Sequence, residues 1–573
     1  MNCGGYVKRR ILRKTTKNPK KWDFAPKIIK IREEWHELKK SKWIPLLLTL
    51  IIWAGMYYYY LPPLNIHSNE SWMFFVAMIV VALVINFWTI AKTLFFHKES
   101  QWESNPVLKK LLYIPLALVV IYGVGVLLSS PILRASAYSS LLTVQNGDFA
   151  EDIHEVNYSQ IPILDSDSAA KLAEREMGSM VDMVSQYEVS DYYNQINLNS
   201  KPVRVTPLEY GDIIKWITNR DTGIPAYMNI DMTTQDVELV KLPEGQGIKY
   251  SPFEHFGRNL YRYVRFRYPT AMIRSSNFEV DDNGVPYWIC SVETKTIGLF
   301  GGTDIQGAIL VNAATGEHAY YDVADVPQWV DKVYDAELLV EQYDYYGTLQ
   351  NGFINSKFGQ KGCLQTTEGY NYVALNDDVW VYTGVTSIGG DESIVGFVLM
   401  NSRTKETNYY QISGAKEISA MASAEGEVQH LGYTATFPIL LNIADEPTYF
   451  LSLKDAAGLV KKYAMVNIEK YHIVAIGDTV AECEKVYRNL MANSGINVTP
   501  SGSGTTAEGK ITLLKDIVAD GNTYYYLMLE GREELFAVKA ADHLEVLKKQ
   551  VGSTVKLEYV TETDGTCTVT SLQ

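Results

Sequence analysis

Cysteine is scarce in this chain: five among 573 residues, at Cys3, Cys290, Cys363, Cys483 and Cys567, with no Cys-x-x-Cys pair. That spacing excludes a zinc site built on paired cysteines and provides no disulfide framework for a chain this long. Cys290 alternates with apolar neighbours and Cys483 falls on an apolar helical face, so both are expected as small core residues. Catalytic signatures are missing too. There is no His-Glu-x-x-His, Gly-x-Ser-x-Gly, Walker A or EF-hand loop. Asp281-Asp282-Asn283-Gly284 and Asp165-Ser166-Asp167 gather carboxylates without the glutamate or spacing of a calcium loop, and read as a turn and a helix cap. No metal and no cofactor is expected. Positive charge is also short: 52 Lys and Arg against 66 Asp and Glu, a net charge of −14.

What is present is unevenly placed. Three apolar runs, Trp43–Leu64, Trp72–Phe96 and Leu111–Leu128, crowd the first part of the chain. Each has the length of a membrane-crossing helix, about 18–25 residues. Their centres carry no ionisable group, which argues against an ion pathway, and Lys92 lies near the end of the second run, where it can snorkel. The expectation is three N-terminal transmembrane helices. Residues 1–43 hold 14 Lys and Arg against four Asp and Glu, and residues 44–130 contribute +1, which leaves −25 for residues 131–573. The first joint lacks Lys and Arg, and the second has Lys98, Lys109 and Lys110. The positive-inside pattern therefore predicts a multi-pass plasma-membrane protein with a cytoplasmic N-terminus and an extracytoplasmic acidic body. An acidic body also argues against nucleic acid as a partner. The N-terminus has no signal-peptide layout, and Cys3 follows no apolar stretch. Ile28, Ile31, Trp35 and Leu38 sit at helical spacing among lysines, the pattern of an amphipathic helix on a lipid bilayer.

The body contains an internal echo. Gly307-Ala-Ile-Leu310-Val-Asn312-Ala-Ala-Thr315-Gly-Glu317-His-Ala-Tyr320-Tyr321 recurs as Gly396-Phe-Val-Leu399-Met-Asn401-Ser-Arg-Thr404-Lys-Glu406-Thr-Asn-Tyr409-Tyr410, seven identities at one offset of 89. Each copy reads as strand, turn, strand. Pro225, Pro286 and Pro447 each open a strand-like stretch after a polar turn. Helices are predicted over Ser168–Asp182, from Ser452 to Tyr463, and after the capping box Thr479–Glu482, where Gly495 can end the helix. The pattern is α+β.

A helix followed by strands and closed by Gly-Ala-Ile-Leu-Val-Asn-Ala-Ala-Thr-Gly-Glu resembles the PepSY-type module, which often ends in an apolar strand and an Asp-x-x-Thr-Gly-Glu turn. Here Asn312 and Asn401 replace the Asp, and Lys405 replaces the Gly. The layout also resembles uncharacterised multi-span envelope proteins of Gram-positive bacteria. The resemblance implies tandem antiparallel-sheet and helix modules that bind or restrain other extracytoplasmic proteins without catalysis. It assigns no site residues.

The organisation expected is a basic tail with an amphipathic helix (1–42), the three spans (43–130), a stalk (131–158), a first α+β PepSY-like region (159–330), a second repeat region (331–494), a Gly/Ser/Thr linker (495–509) and a small OB-like β-barrel (510–573). In the barrel, Asp520-Gly521-Asn522 marks a hairpin, Ala541–Lys549 a short helix, and Tyr524 and Tyr526 face opposite to Tyr525. Phe300–Asp304 and Ile388–Glu392 are Gly-rich loops joining strands. Phe253–Tyr268 is the most basic stretch of the acidic body. Read as a helix it lines Arg258, Arg262 and Arg265 along one face beside Tyr261, a candidate ligand-binding surface for an extracytoplasmic protein or an acidic envelope polymer. The functional expectation is a non-enzymatic, membrane-anchored binding or scaffold protein. The alternatives are a transmembrane sensor, which would need an output domain the chain does not show, and an envelope enzyme with an unrecognised site.

Overall fold

The computed structural model describes residues 43–85, 106–154, 161–375, 377–389, 393–494, 496, 505–519, 522–532, 534–541, 543–561 and 567–572. The basic tail and its amphipathic helix, the end of the second apolar run, the Gly390–Glu392 part of the second Gly-rich loop, Gly495 and Asp520-Gly521 lie outside the described residues.

The apolar runs do not form the three expected spans. Among the described residues no single helix is long and apolar enough to cross a membrane. The first run makes an 18-residue helix, Trp43–Tyr60, whose last four residues are tyrosines. It stops where Leu61 takes φ 50° ahead of Pro62 and Pro63. A left-handed residue followed by two prolines cannot continue a helix. The second described helix, Asn69–Ile85, has 17 residues. In the third, Pro106–Leu128, the apolar part Tyr113–Leu128 bends by 48° into Pro131–Ser139, and only that bent pair passes on length and composition. The membrane-anchored fold class and the multi-pass plasma-membrane placement are therefore corrected. The chain is a mixed α and β protein with many sheets.

Chain contacts divide it into one unit of residues 1–62 and 72–119 and another of 63–71 and 120–573. Among the described residues the second unit holds, besides a two-stranded sheet and a barrel, four larger and mainly antiparallel sheets in succession, each preceded by a helix. Ser166–Ser179 precedes the sheet spanning Tyr187–Lys241, and Leu260–Arg267 precedes Met272–Asp322. Ala336–Leu349 precedes Leu364–Tyr410, and Glu417–Glu427 precedes Thr434–Gly477. The segment read as a stalk is packed: Tyr138, Leu142, Phe149 and Ile153 are buried, and Gln145–Asn146 adds a parallel strand to the third sheet.

The echo is a pair of matched hairpins. Gly307–Asn312 pairs with His318–Asp322, and Gly396–Asn401 with Thr407–Tyr410. At each turn the Asn side-chain Oδ1 accepts two backbone N–H groups, Ala314 and Thr315 at 3.0 and 2.9 Å, Arg403 and Thr404 at 2.8 and 2.9 Å. The Thr hydroxyl then accepts the Glu N–H, at 3.2 Å in one copy and 3.3 Å in the other. The structure adds a third copy. Asp231 accepts from the N–H groups of Thr233 and Thr234, and Thr234 accepts from Asp236 N–H at 3.3 Å. All three turns need one left-handed residue: Gly316 (φ 77°), Lys405 (φ 68°) and Gln235 (φ 67°). Over both echoed glycines lies a tyrosine ring. A Cβ on Gly307 would stand 2.7 Å from Tyr320 Oη, and one on Gly396 2.6 Å from Tyr409 Oη. Glycine is required there because the partner strand's backbone carbonyl, Tyr321 O or Tyr410 O, stands closer still, with the tyrosine ring closing the rest of the space.

Alternation along these strands feeds two cores. Trp288, Cys290, Ile309 and Val311 join the larger one, which runs through all four sheets, while Ile289, Ala308 and Leu310 face a second core under the Ala336–Leu349 helix. Burial on both faces explains why the echoed runs are continuously apolar. The expected helix from Ser452 to Tyr463 is instead a hairpin of Glu446–Lys454 and Val460–Asn467. Asp455 caps its turn by accepting from Ala457 and Leu459 N–H, and Gly458 takes φ 76°. The helix at the capping box is Val480–Asn493, with Cys483, Tyr487 and Met491 buried. Strand Thr505–Ala519 takes up the end of the segment read as a linker, and five strands close a barrel with its own core around Phe536, Val538 and Leu557. Within it Tyr525 packs on the core, and Leu544–Lys548 is a 3₁₀ turn.

Candidate functional site

The arginine stretch does not form one stripe. Its helix starts at Leu260, where Asn259 caps by accepting Arg262 N–H at 3.3 Å. Arg258 precedes it, in a 3₁₀ turn begun by Phe256 at φ 52°. The helix buries Leu260, Tyr263, Val264 and Arg265. The arginines mostly serve the chain's own carbonyls. Arg258 Nη1 donates to Arg220 O at 2.6 Å, and Arg262 Nη1 to Phe256 O at 2.8 Å. Arg265 Nη1 donates to the carbonyl of Ala271, tying the helix end to the next strand. Arg267 lies 3.4 Å over the Tyr263 ring. Tyr261 Oη meets Tyr192 Oη at 2.8 Å, and burial together with that hydrogen bond raises the Tyr261 phenol pKa above its ordinary value.

Arg265 also lines a cleft of about 310 Å³, shared with Ser68, Glu70, Met272, Glu293 and Lys295. Its outer wall is the loop at 63–71, held by Leu64 N–H to Pro269 O at 2.7 Å and Asn65 Nδ2 to Thr270 O at 3.1 Å. On its floor Lys295 pairs with Glu293 at 3.0 Å, and Glu293 with Arg274 at 3.7 Å.

Beside the arginines lies a feature that the sequence reading missed. The short helix Ile213–Asn219 is capped by Asp212, and it exposes Ile213, Ile214 and Ile217 at 53%, 69% and 54%. Phe256 is 65% exposed, and its ring lies 6.1 Å from that of Trp216. Trp216 itself is buried. Its Nε1 donates to Glu254 Oε2 at 2.8 Å, and Tyr210 Oη donates to Glu254 Oε1 at 2.8 Å. Glu254 thus anchors the rigid base of an apolar corner flanked by Arg220 and Arg258, with Lys215 paired to Asp212 at 3.4 Å. The Ile-Ile-x-x-Ile spacing behind a capping Asp was visible in the sequence, but exposure was not.

A second charged group is buried. Glu279 accepts from Asp331 N–H (2.9 Å), Lys332 N–H (3.0 Å) and Asn194 Nδ2 (3.2 Å). Burial pushes the Glu279 carboxyl up to about 7 and Asp331 well above the carboxylate range, Asp331 also by the charge of Glu279. Burial pulls Lys332 down to about 8. Shifts of this size mark functional sites when they open on a cleft. Glu279, Asp331 and Lys332 line neither described cavity, and the group joins the first, second and third sheets.

Among the described residues no cluster of His, Cys, Asp or Glu is placed to hold a metal ion. Among the described residues Cys290, Cys363 and Cys483 are buried and form no disulfide, and burial pushes the Cys290 thiol up to about 11. A thiol so shifted is a poor nucleophile.

No protein-family model matches the chain, and no curated protein matches it. A solved structure, the crystal structure of an ACO/RPE65 chimera in a monoclinic form, is similar at 10% identity and a TM-score of 0.14 over 67% of this chain. The match covers 60% of the chimera's length, and a likeness this slight carries no argument about fold or activity.

Proposed function

We propose that this chain is a non-enzymatic binding or scaffold protein that holds an acidic polypeptide segment at the corner formed by Ile213, Ile214, Ile217, Phe256 and the arginines beside them. The observation that carries this reading is the juxtaposition of four exposed apolar side chains with Arg258, bonded to the Arg220 carbonyl, and Arg220, over the Trp216 ring. Exposed apolar groups on a rigid base are the usual anchors of protein interfaces. Cations around them, on a chain of net charge −14, select an acidic partner. The PepSY-like resemblance supports the same class of activity.

The test is peptide display against the full chain. Enriched peptides should combine Asp or Glu with an aliphatic or aromatic anchor, lose affinity as salt rises, and fail to bind Ile214→Asp. Absence of enrichment, or binding that survives Ile214→Asp and Arg258→Glu together, defeats the proposal.

A further inference from the structure

An apolar tip projects from the turn after the Ala336–Leu349 helix. Phe358 is 85% exposed, more than any other large apolar side chain among the described residues, and Ile354 is 75% exposed. The turn that carries them is tied down. Gln360 takes φ 49° and donates its N–H to Asn355 O at 2.6 Å, while Asn355 Nδ2 donates to Lys361 O at 3.0 Å. Ser356, buried beneath, donates to Phe353 O at 2.8 Å. Large apolar groups held exposed on a fixed backbone mark a contact surface.

The Pro131–Ser139 helix packs beside this turn. Its Ala135 and Tyr138 share a small core with Leu349 and Phe353, and its Ile132, Leu133 and Arg134 are exposed. Lys357 and Lys361 are exposed on the turn itself. Among the described residues none of these three cations makes an ion pair. Residues 104–147 and 345–367 contain no Asp or Glu, on a chain that carries 66 of them. The carboxylates of the helix behind are occupied: Glu341 accepts from Tyr345 Oη and Asp344 from Thr366 N–H, both at 2.8 Å. Projecting apolar groups with cations beside them match a lipid surface, where acyl chains take the one and anionic headgroups the other. A second copy of this chain fits poorly, because a two-fold contact would set the same cations against themselves with no acid on either segment.

We propose that this tip docks on the surface of an anionic lipid bilayer, with Ile354 and Phe358 entering the headgroup boundary and Arg134, Lys357 and Lys361 meeting the headgroups. The contact is made from one side and needs no helix to cross. The test places a bimane label on Phe358→Cys in a Cys3→Ser full chain, where Cys290, Cys363 and Cys483 are buried. The probe is vesicles of phosphatidylglycerol and phosphatidylcholine with brominated acyl chains. The label should be quenched, and Lys357→Glu with Lys361→Glu should raise the lipid needed for equal quenching by about tenfold or more. The same label on Val181→Cys, an exposed apolar position on another helix (79%), should stay unquenched. A label at 358 that is unquenched, or quenched no more than the one at 181, overturns the proposal. So does quenching that is equal on phosphatidylcholine alone, or a label already shielded from water before lipid is added, the sign of a second copy covering the tip.

Discussion

Raising pH should loosen the joint between the first three sheets, and Glu279 gives the size of the effect. Its carboxyl sits near 7 in the folded chain against an ordinary 4.5, with burial as the leading cause. A folded pKa above the unfolded one means that the folded state favours the proton. The stability is present below about 4.5 and is lost as pH rises through about 7. Between pH 5 and pH 8 the loss is on the order of 2–3 kcal/mol, between one and two orders of magnitude in the local opening equilibrium. The amides that report it are Asp331 and Lys332 N–H, which donate to this carboxylate. Hydrogen exchange read by mass spectrometry on a peptide covering residues 326–336, corrected for the intrinsic pH dependence of exchange, should show that fall. Glu279→Gln should make the profile shallower, leaving the part that buried Asp331 contributes. It should also carry a pH-independent cost of about 1–2 kcal/mol, because one side of the amide cannot accept the N–H bonds both carboxylate oxygens now receive. A slope as steep in Glu279→Gln as in the unaltered chain, or protection that grows with pH, refutes the assignment.

Glu254→Ala strands Trp216 Nε1 and Tyr210 Oη and should cost about 3 kcal/mol, read by chemical denaturation with tryptophan fluorescence. Arg403→Ala leaves Asp378, 8% exposed, with Asn401 as its remaining side-chain partner, and should cost about 3 kcal/mol in the same assay. At the Asn401 turn, Lys405→Gly loses the 2.8 Å ion pair to Asp304 but relieves a left-handed residue. Lys405→Ala loses the pair and keeps the strain, so Ala should be the less stable of the two by about 1 kcal/mol.

Local chemistry was legible in the sequence wherever it was self-contained. Asn312 and Asn401 announced their hairpins, and Thr479 announced its helix, because each device is closed within six residues. The Asp231 turn escaped notice because it shares only Thr234 with its echoes, although its hydrogen bonds are the same. Length and hydropathy misled at Trp43–Leu64, where the run was counted through Leu61-Pro62-Pro63, and at Ser452–Tyr463, where a Ser start outweighed the turn at Asp455 and Gly458. The arginine stripe failed because Asn259, a capping residue in plain view, begins the helix after Arg258. The buried group around Glu279 and the apolar corner depend on which strands and loops meet across the chain, information that no window of sequence holds.

The tyrosine laid over glycine at Gly307 and again at Gly396 changes what the internal echo can be taken to mean. Of the seven shared residues, Gly and the first Tyr form that lock, Asn and Thr wire the turn, and Leu fills a core. At least five of the identities are therefore hairpin hardware. Two hairpins of this build in unrelated chains would align as well as these do. Self-similarity here is a measure of shared mechanical demand, and descent from a duplicated ancestor has to be argued from positions the hairpin leaves free to vary.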